Sequence, residues 1–97
     1  MQGRYFVYIL TNDRQTVLYT GVTDNLSRRI GEHRAGFSSF TSRYNAYKLV
    51  CFEAFHESSD AIAREKQIKG GSRRRKVVLI GSLDPDWRDL SDELPVA

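Results

Sequence analysis

The sequence predicts an α+β domain, a three-stranded antiparallel sheet flanked by helices in the order ββαβαα. Three observations carry this expectation. Two short runs rich in β-branched and aromatic residues, 6–10 and 18–22, stand close enough to form a hairpin about the polar segment Asn12-Asp13-Arg14-Gln15. A third run, 48–55, is almost continuously apolar and suits an internal or well-covered strand. The remaining segments carry helix caps and four-residue apolar spacings in place of strand alternation.

With residues 12–15 as the turn, Leu10 pairs with Val17 and Tyr8 falls directly opposite Tyr19. Side chains so placed have Cβ atoms about 4.5–5.5 Å apart, so two phenols share one small volume on one sheet face. On this stretch alone, a cross-strand aromatic pair that stabilises the hairpin is the simpler explanation.

After the hairpin, Thr23-Asp24-Asn25 caps a helix over 26–35, and Gly36 offers its stop. Leu26 and Ile30 form its apolar stripe. Arg29 and His33, four apart, share a face at the edge of that stripe. Residues 36–47 show neither period and read as an exposed loop, pinned by Phe40 or Tyr44, whose Arg43, Ser38, Ser39, Thr41 and Ser42 could hold phosphates. Ser58 or Ser59 caps a second helix running to about residue 69. On its wheel Ala61, Ile62 and Ile68 lie in one arc, and Glu65 falls inside that arc. A carboxylate on the core side needs a compensating cation, either Arg or Lys or a bound metal. Gly70-Gly71 breaks this helix and Ser72 starts a third, basic over Arg73, Arg74, Arg75 and Lys76 and apolar over 77–80, which reads as a buried end. Pro85 marks a turn and Trp87 docks on the core. Residues 1–90 form a single domain and 91–97 a flexible tail.

A chain of 97 residues, 40% hydrophobic and 28% charged, builds one small core, so its working surface is open. One cysteine, Cys51, within an apolar run, excludes an internal disulfide and a thiolate metal site. The sequence shows neither an apolar segment near eighteen residues nor a secretory pattern at its start, so the expectation is a cytoplasmic protein with no membrane partner. The net charge of +3 hides an asymmetry, with +7 over residues 1–82 and −4 over 83–97. A basic body attracts polyanions, nucleic acid first among them.

The order Tyr8, Tyr19-Thr20-Gly21, Arg29, His33, Glu65 resembles the GIY-YIG nuclease family, in particular its small stand-alone bacterial members related to the nuclease module of the excision-repair C subunit. Segments 26–33, Phe40-Thr41 with Arg43-Tyr44, 64–70 and 84–90 extend the likeness across most of the chain. The resemblance implies hydrolysis of DNA phosphodiester bonds in repair or recombination, with one divalent ion, Mg²⁺ or Mn²⁺. It makes Glu65 the metal ligand, Arg29 the clamp on the scissile phosphate, and Tyr8 or Tyr19 the group that activates or orients the attacking water. His33 would accept a proton from a tyrosine, and Gly21 lets backbone approach the site closely. A phenol with pKa near 10 is a poor base at pH 7 and needs a cation, a metal or an imidazole nearby. Arg28, Arg43, Lys69, Arg73, Arg74 and Arg75 are the cations expected to meet DNA phosphates, with specificity open to supply by a protein partner. The alternative is a nucleic-acid-binding module that keeps the fold and basic face without turnover.

Overall fold

The computed structural model describes residues 4–94. Strands β1 (Tyr5–Thr11), β2 (Leu18–Thr23) and β3 (Lys48–Phe55) form one antiparallel sheet in the order β2-β1-β3. Helices α1 (Leu26–Arg34) and α2 (Ser39–Tyr44) precede β3; α3 (Ser58–Lys69), α4 (Arg73–Leu83) and a 3-10 turn (Leu90–Glu93) follow it. The central strand is β1, and both its faces are covered. Phe6, Tyr8 and Leu10 meet Leu26 and Ile30 of α1 together with Leu49. Val7 and Ile9 face the other way, against Val50, Cys51, Ala61 and Ile68 of α3, and Ile80 of α4. The sheet is thus the middle of three layers, which is why β1 reads as an unbroken apolar run.

Several sequence expectations are corrected in detail. The hairpin register differs by two residues, so that Tyr8 stands opposite Gly21 and Tyr19 opposite Leu10. The shift comes from Asn12, whose side-chain oxygen accepts from the backbone N–H of Thr16 (2.8 Å) and Val17 (3.3 Å), while Gln15 takes a positive φ of 58°. Asn12 closes a loop that consumes Val17, and the strands resume at Thr11 and Leu18. A two-residue shift preserves side-chain parity, so both tyrosines stay on one face.

The segment expected as a loop at 36–47 contains α2, six residues ending at Asn45 in the left-handed region (φ 55°). A helix of that length is too short to show a period. Strand β3 lies at an edge of the sheet; its apolar run reflects helices on both faces and a bulge at Val50, between the pairs Ile9–Cys51 and Leu10–Leu49. The apolar end of α4 is only half buried, since Ile80 is enclosed while Val77 and Val78 are exposed. On α3, Glu57 occupies the cap position in place of a serine, and Ile62 faces solvent.

Cys51 is buried, and burial pushes its thiol up to about 12, so it is an inert core residue. Of the expected tail, the 3-10 turn carries the chain through Glu93, and Leu94 packs against the α1 side of the core. Residues 95–97 lie outside the described residues. Asp89 ties the end of the chain back: it accepts from the Leu49 backbone N–H at the edge of β3 (3.3 Å) and pairs with Arg34 of α1 (3.0 Å). Although burial opposes its charge, the hydrogen bonds from Ser91 and Leu49 and the Arg34 cation together hold the Asp89 carboxyl below its ordinary range. No helix among the described residues is long and apolar enough to cross a membrane.

Helix α1 starts at Asn25, whose side chain accepts from the Arg28 backbone N–H at 3.0 Å. Asn25→Ala should therefore cost about 1 kcal/mol in urea unfolding, the usual worth of such a cap. An unchanged midpoint would show that packing of Leu26 and Ile30 alone fixes the start of α1.

Candidate active site

The site forms where β1 and β2 present Tyr8 and Tyr19 on one sheet face and α1 crosses over them. Arg29 and His33, one helical turn apart, both point at the phenols. Tyr8 Oη lies 2.8 Å from His33 Nε2, and the Tyr8 and Tyr19 ring centroids are 6.3 Å apart. The Tyr19 ring meets His33 edge-on at 5.1 Å. The Arg29 guanidinium stands close enough to both phenols to act on their charge and is itself held by Glu32 at 3.0 Å. The structure thus brings Tyr8, Tyr19, Arg29 and His33 together in one cluster.

Gly21 has a steric reason to be glycine. It faces Tyr8 across the hairpin, and a Cβ there would overlap the Tyr8 hydroxyl and ring. The phenol fills the space that a side chain would take. The backbone of β2 therefore forms one wall of the Tyr8 pocket.

A second hydrogen bond fixes the imidazole. His33 Nδ1 lies 2.9 Å from Thr41 Oγ1, and that hydroxyl donates to the Ser38 carbonyl at 3.3 Å. With its one hydrogen on a carbonyl, the Thr41 oxygen accepts from His33 Nδ1–H, which leaves the Nε2 lone pair to accept the Tyr8 O–H. Burial first, and then the Arg29 charge, lower the His33 pKa to about 4, so the ring is neutral at physiological pH. Burial pushes the Tyr8 phenol up to about 12 despite the Arg29 cation beside it. Tyr8 is thus a neutral donor in the resting protein; desolvation outweighs the cation. The two phenols also differ in access, since Tyr8 is only 1% exposed and Tyr19 is half-buried.

Thr41 was hidden from the sequence among four hydroxyl residues in a stretch without period, and nothing there separates it from Ser38, Ser39 or Ser42. It serves His33 rather than a phosphate. Glu32, the anchor of Arg29, lay three residues along the same helix and was recognisable only as an i,i+3 ion pair.

The remaining expected residues stand outside this hydrogen-bonded cluster. Glu65 is on α3, whose Ala61 and Ile68 pack on the Val7 and Ile9 side of β1 while the helix also runs along β2, the strand of Tyr19. Its side chain is 14% exposed and its carboxylate is 3.6 Å from Lys69. Arg29 is the partner of Glu32, so Lys69 supplies the nearby cation for Glu65. Among the described residues no group of three His, Cys, Asp or Glu is placed to hold a metal. This donor chemistry does not suit a zinc or calcium cage. A lone, largely buried carboxylate fits a hydrated Mg²⁺ or Mn²⁺, which takes one or two carboxylates and keeps most of its waters.

Arg28 pairs with Asp24 (3.2 Å) on the exposed side of α1, and Arg43 lies over the Tyr44 ring at 5.5 Å. Arg73 donates to the carbonyls of Gln15 (2.6 Å) and Thr16 (3.3 Å), and so clamps the hairpin loop. Arg74 and Arg75 are exposed on α4, Arg75 lining a cleft with Arg64 and Lys76.

A central hairpin with paired tyrosines, a helix bringing arginine and histidine over it, and a glycine wall define a GIY-YIG type of domain. Residues 4–77 match the GIY-YIG catalytic domain, and the chain belongs to that family. Within it the chain is similar to small proteins of the UPF0213 group. It is 40% identical over 81 residues to a UPF0213 protein of Natronomonas pharaonis, covering 82% of this chain and 94% of that one. It is 41% identical over 78 residues to one from Clostridium perfringens, covering 79% and 83%. The solution NMR structure of the UPF0213 protein BH0048 from Bacillus halodurans superposes with a TM-score of 0.58 at 28% identity, covering 95% of this chain and 98% of that one.

Two measurements test this geometry. Gly21→Ala should destabilise the fold by about 1–3 kcal/mol through overpacking against Tyr8, and Gly21→Ala in a Tyr8→Leu background should cost less. The depressed pKa of His33 sets a pH dependence. Below pH 6.5 the unfolded imidazole takes a proton that the native one refuses, so the unfolded state binds more protons. Stability from this group is complete above about pH 6.5 and is lost as pH falls towards 4, by on the order of 3 kcal/mol in total. Urea unfolding between pH 7 and pH 4 should show that loss in the wild type and little of it in His33→Gln. Parallel curves would mean that His33 is not held neutral.

Proposed function

We propose that the protein is a cytoplasmic, divalent-metal-dependent endonuclease that hydrolyses DNA phosphodiester bonds in repair or recombination. The observation that carries this reading is the convergence of two phenols and an arginine on one sheet face, with a neutral imidazole behind them, in a chain of the GIY-YIG catalytic-domain family. Arg29 has donors beyond the one that meets Glu32, and its side chain is partly exposed. It receives the scissile phosphate and holds the charge that grows on the phosphoryl oxygens.

Tyr19, the more accessible phenol, orients the attacking water. Tyr8 is enclosed and acts through its hydroxyl, which donates to His33 Nε2 at 2.8 Å beside the Arg29 charge. With burial pushing the Tyr8 phenol up and the His33 ring down, this hydrogen bond stays between neutral partners and positions the cluster behind Tyr19. Thr41 keeps Nε2 free for that bond. Glu65 would hold the metal, which when bound stabilises charge on the phosphate and leaving oxygens. Exposed Arg74 and Arg75 contact backbone phosphates away from the cluster.

The test is cleavage of linear, nicked and branched DNA by the purified protein with Mg²⁺ or Mn²⁺, beside Glu65→Gln and beside chelator. Cleavage should vanish with chelator and fall by orders of magnitude in Glu65→Gln. Because Lys69 is a largely exposed partner, that variant should keep its stability to within about 1 kcal/mol. Binding without cleavage in the wild type would leave a nucleic-acid-binding module. DNA affinity should also fall steeply with salt, and Arg74→Ala with Arg75→Ala should each reduce the slope of log K against log salt by roughly one. A flat salt dependence would remove DNA as the partner.

A further inference from the structure

The ring contacts do not stop at the phenols. Tyr19 meets His33 on its inner side and Phe40 of α2 on its outer side, with 5.7 Å between the Tyr19 and Phe40 centroids. Phe40 meets Tyr44 at 5.0 Å, and the Arg43 guanidinium lies over the Tyr44 ring at 5.5 Å. Phe40 and Tyr44 are 39% and 40% exposed, and Phe37, just ahead of α2, is 73% exposed. A domain this small has few aromatic residues to spend on a core, yet Phe40 and Tyr44 face water beside the site and Phe37 is exposed just ahead of α2. Thr41 explains how they are held there, since it is the buried residue of α2 and is bonded to His33.

We propose that Phe40 and Tyr44, with Phe37 beside them, form a stacking platform for unpaired bases, so that the strand cut at Arg29 has a single-stranded stretch next to the scissile phosphate. The location of the cut rests on the nuclease reading above; the stacking itself does not. In a duplex the base faces are already stacked on one another, and only edges and phosphates remain for a protein. A single strand offers flat π-faces in series, each worth about 1–3 kcal/mol against an aromatic side chain. The platform is continuous with Tyr19, and therefore with the phosphate-receiving arginine. Arg43, beside the last ring, supplies positive charge where the backbone of such a strand would pass, which an apolar protein partner would not require.

The platform can be tested without cleavage, by fluorescence anisotropy in EDTA. Three labelled probes of about 12 nucleotides are compared at one salt concentration: a thymidine strand, an abasic strand of equal length and charge, and a duplex. The thymidine strand should bind about tenfold or more tightly than the abasic strand. Phe40→Ala and Tyr44→Ala should each remove about tenfold from that advantage, and Tyr44→Trp should restore it. Phe40 also touches Tyr19, so thermal unfolding accompanies each variant; Tyr44→Ala, at the outer end, decides the matter if Phe40→Ala unfolds. Equal affinity for thymidine and abasic strands overturns the platform. If duplex is bound and cut while the two single strands remain equal, the platform falls and the nuclease reading stands. If no probe binds, both fall. A dimer that Tyr44→Ala dissociates, without a preference for the base-bearing strand, would assign the face to a second copy of the chain.

Discussion

The hydrogen bond from Tyr8 to His33 is the constraint on which the rest of the site depends. Both side chains are closed off from water, they lie 25 residues apart, and Thr41 on a third element completes the chain. Leaving any one of these buried polar groups unpaired costs about 1–3 kcal/mol, so each element is placed by the demands of the other two. The central strand sets where the phenol stands. α1 must then bring the imidazole to it, and α2 must fold as a helix at all so that a hydroxyl reaches the second nitrogen. This buried relay also explains why glycine faces Tyr8 on the neighbouring strand, since there is no other place for the ring.

The same constraint divides the polar work between an inner and an outer layer. Tyr8, His33 and Thr41 are enclosed, with protonation states fixed by burial, while Tyr19 and Arg29 retain access to solvent. A group that must touch a polyanion cannot be fully desolvated, and a group whose tautomer must be fixed cannot be freely hydrated. Two tyrosines, separated by one register step of two residues, satisfy both requirements on a single sheet face.

Much of this was legible in the sequence because the relevant signals are periodic. The β-branched and aromatic runs of β1 and β2, the spacing of Leu26 with Ile30 and of Arg29 with His33, and the glycine pair after Lys69 placed the fold and gathered four of the five expected polar residues. What escaped was decided by features that leave no period. The hairpin register turned on the Asn12 side chain closing its own loop. The six residues of α2 have too little length to advertise a helix. The apolar run of β3 announces burial but cannot say whether a strand is central or at an edge. The helical wheel turned Glu65 inward correctly, although Ile62 of the same arc faces solvent. Arg73 illustrates the opposite difficulty, for in a run of four cations nothing marks the one that would be recruited by backbone carbonyls.

The acidic end of the chain has a role that its charge alone would not suggest. β3 is an edge strand, and a bare edge offers unpaired N–H and C=O groups to any other strand, including that of another copy. Asp89 takes the Leu49 N–H at that edge and is itself fastened by Arg34 and Ser91. A side chain thus occupies a place where a foreign backbone would otherwise pair, and it brings a negative charge that repels its counterpart on an approaching molecule. The segment after Trp87 therefore covers part of that edge, and any strand added there would have to displace a carboxylate fastened by Arg34 and Ser91.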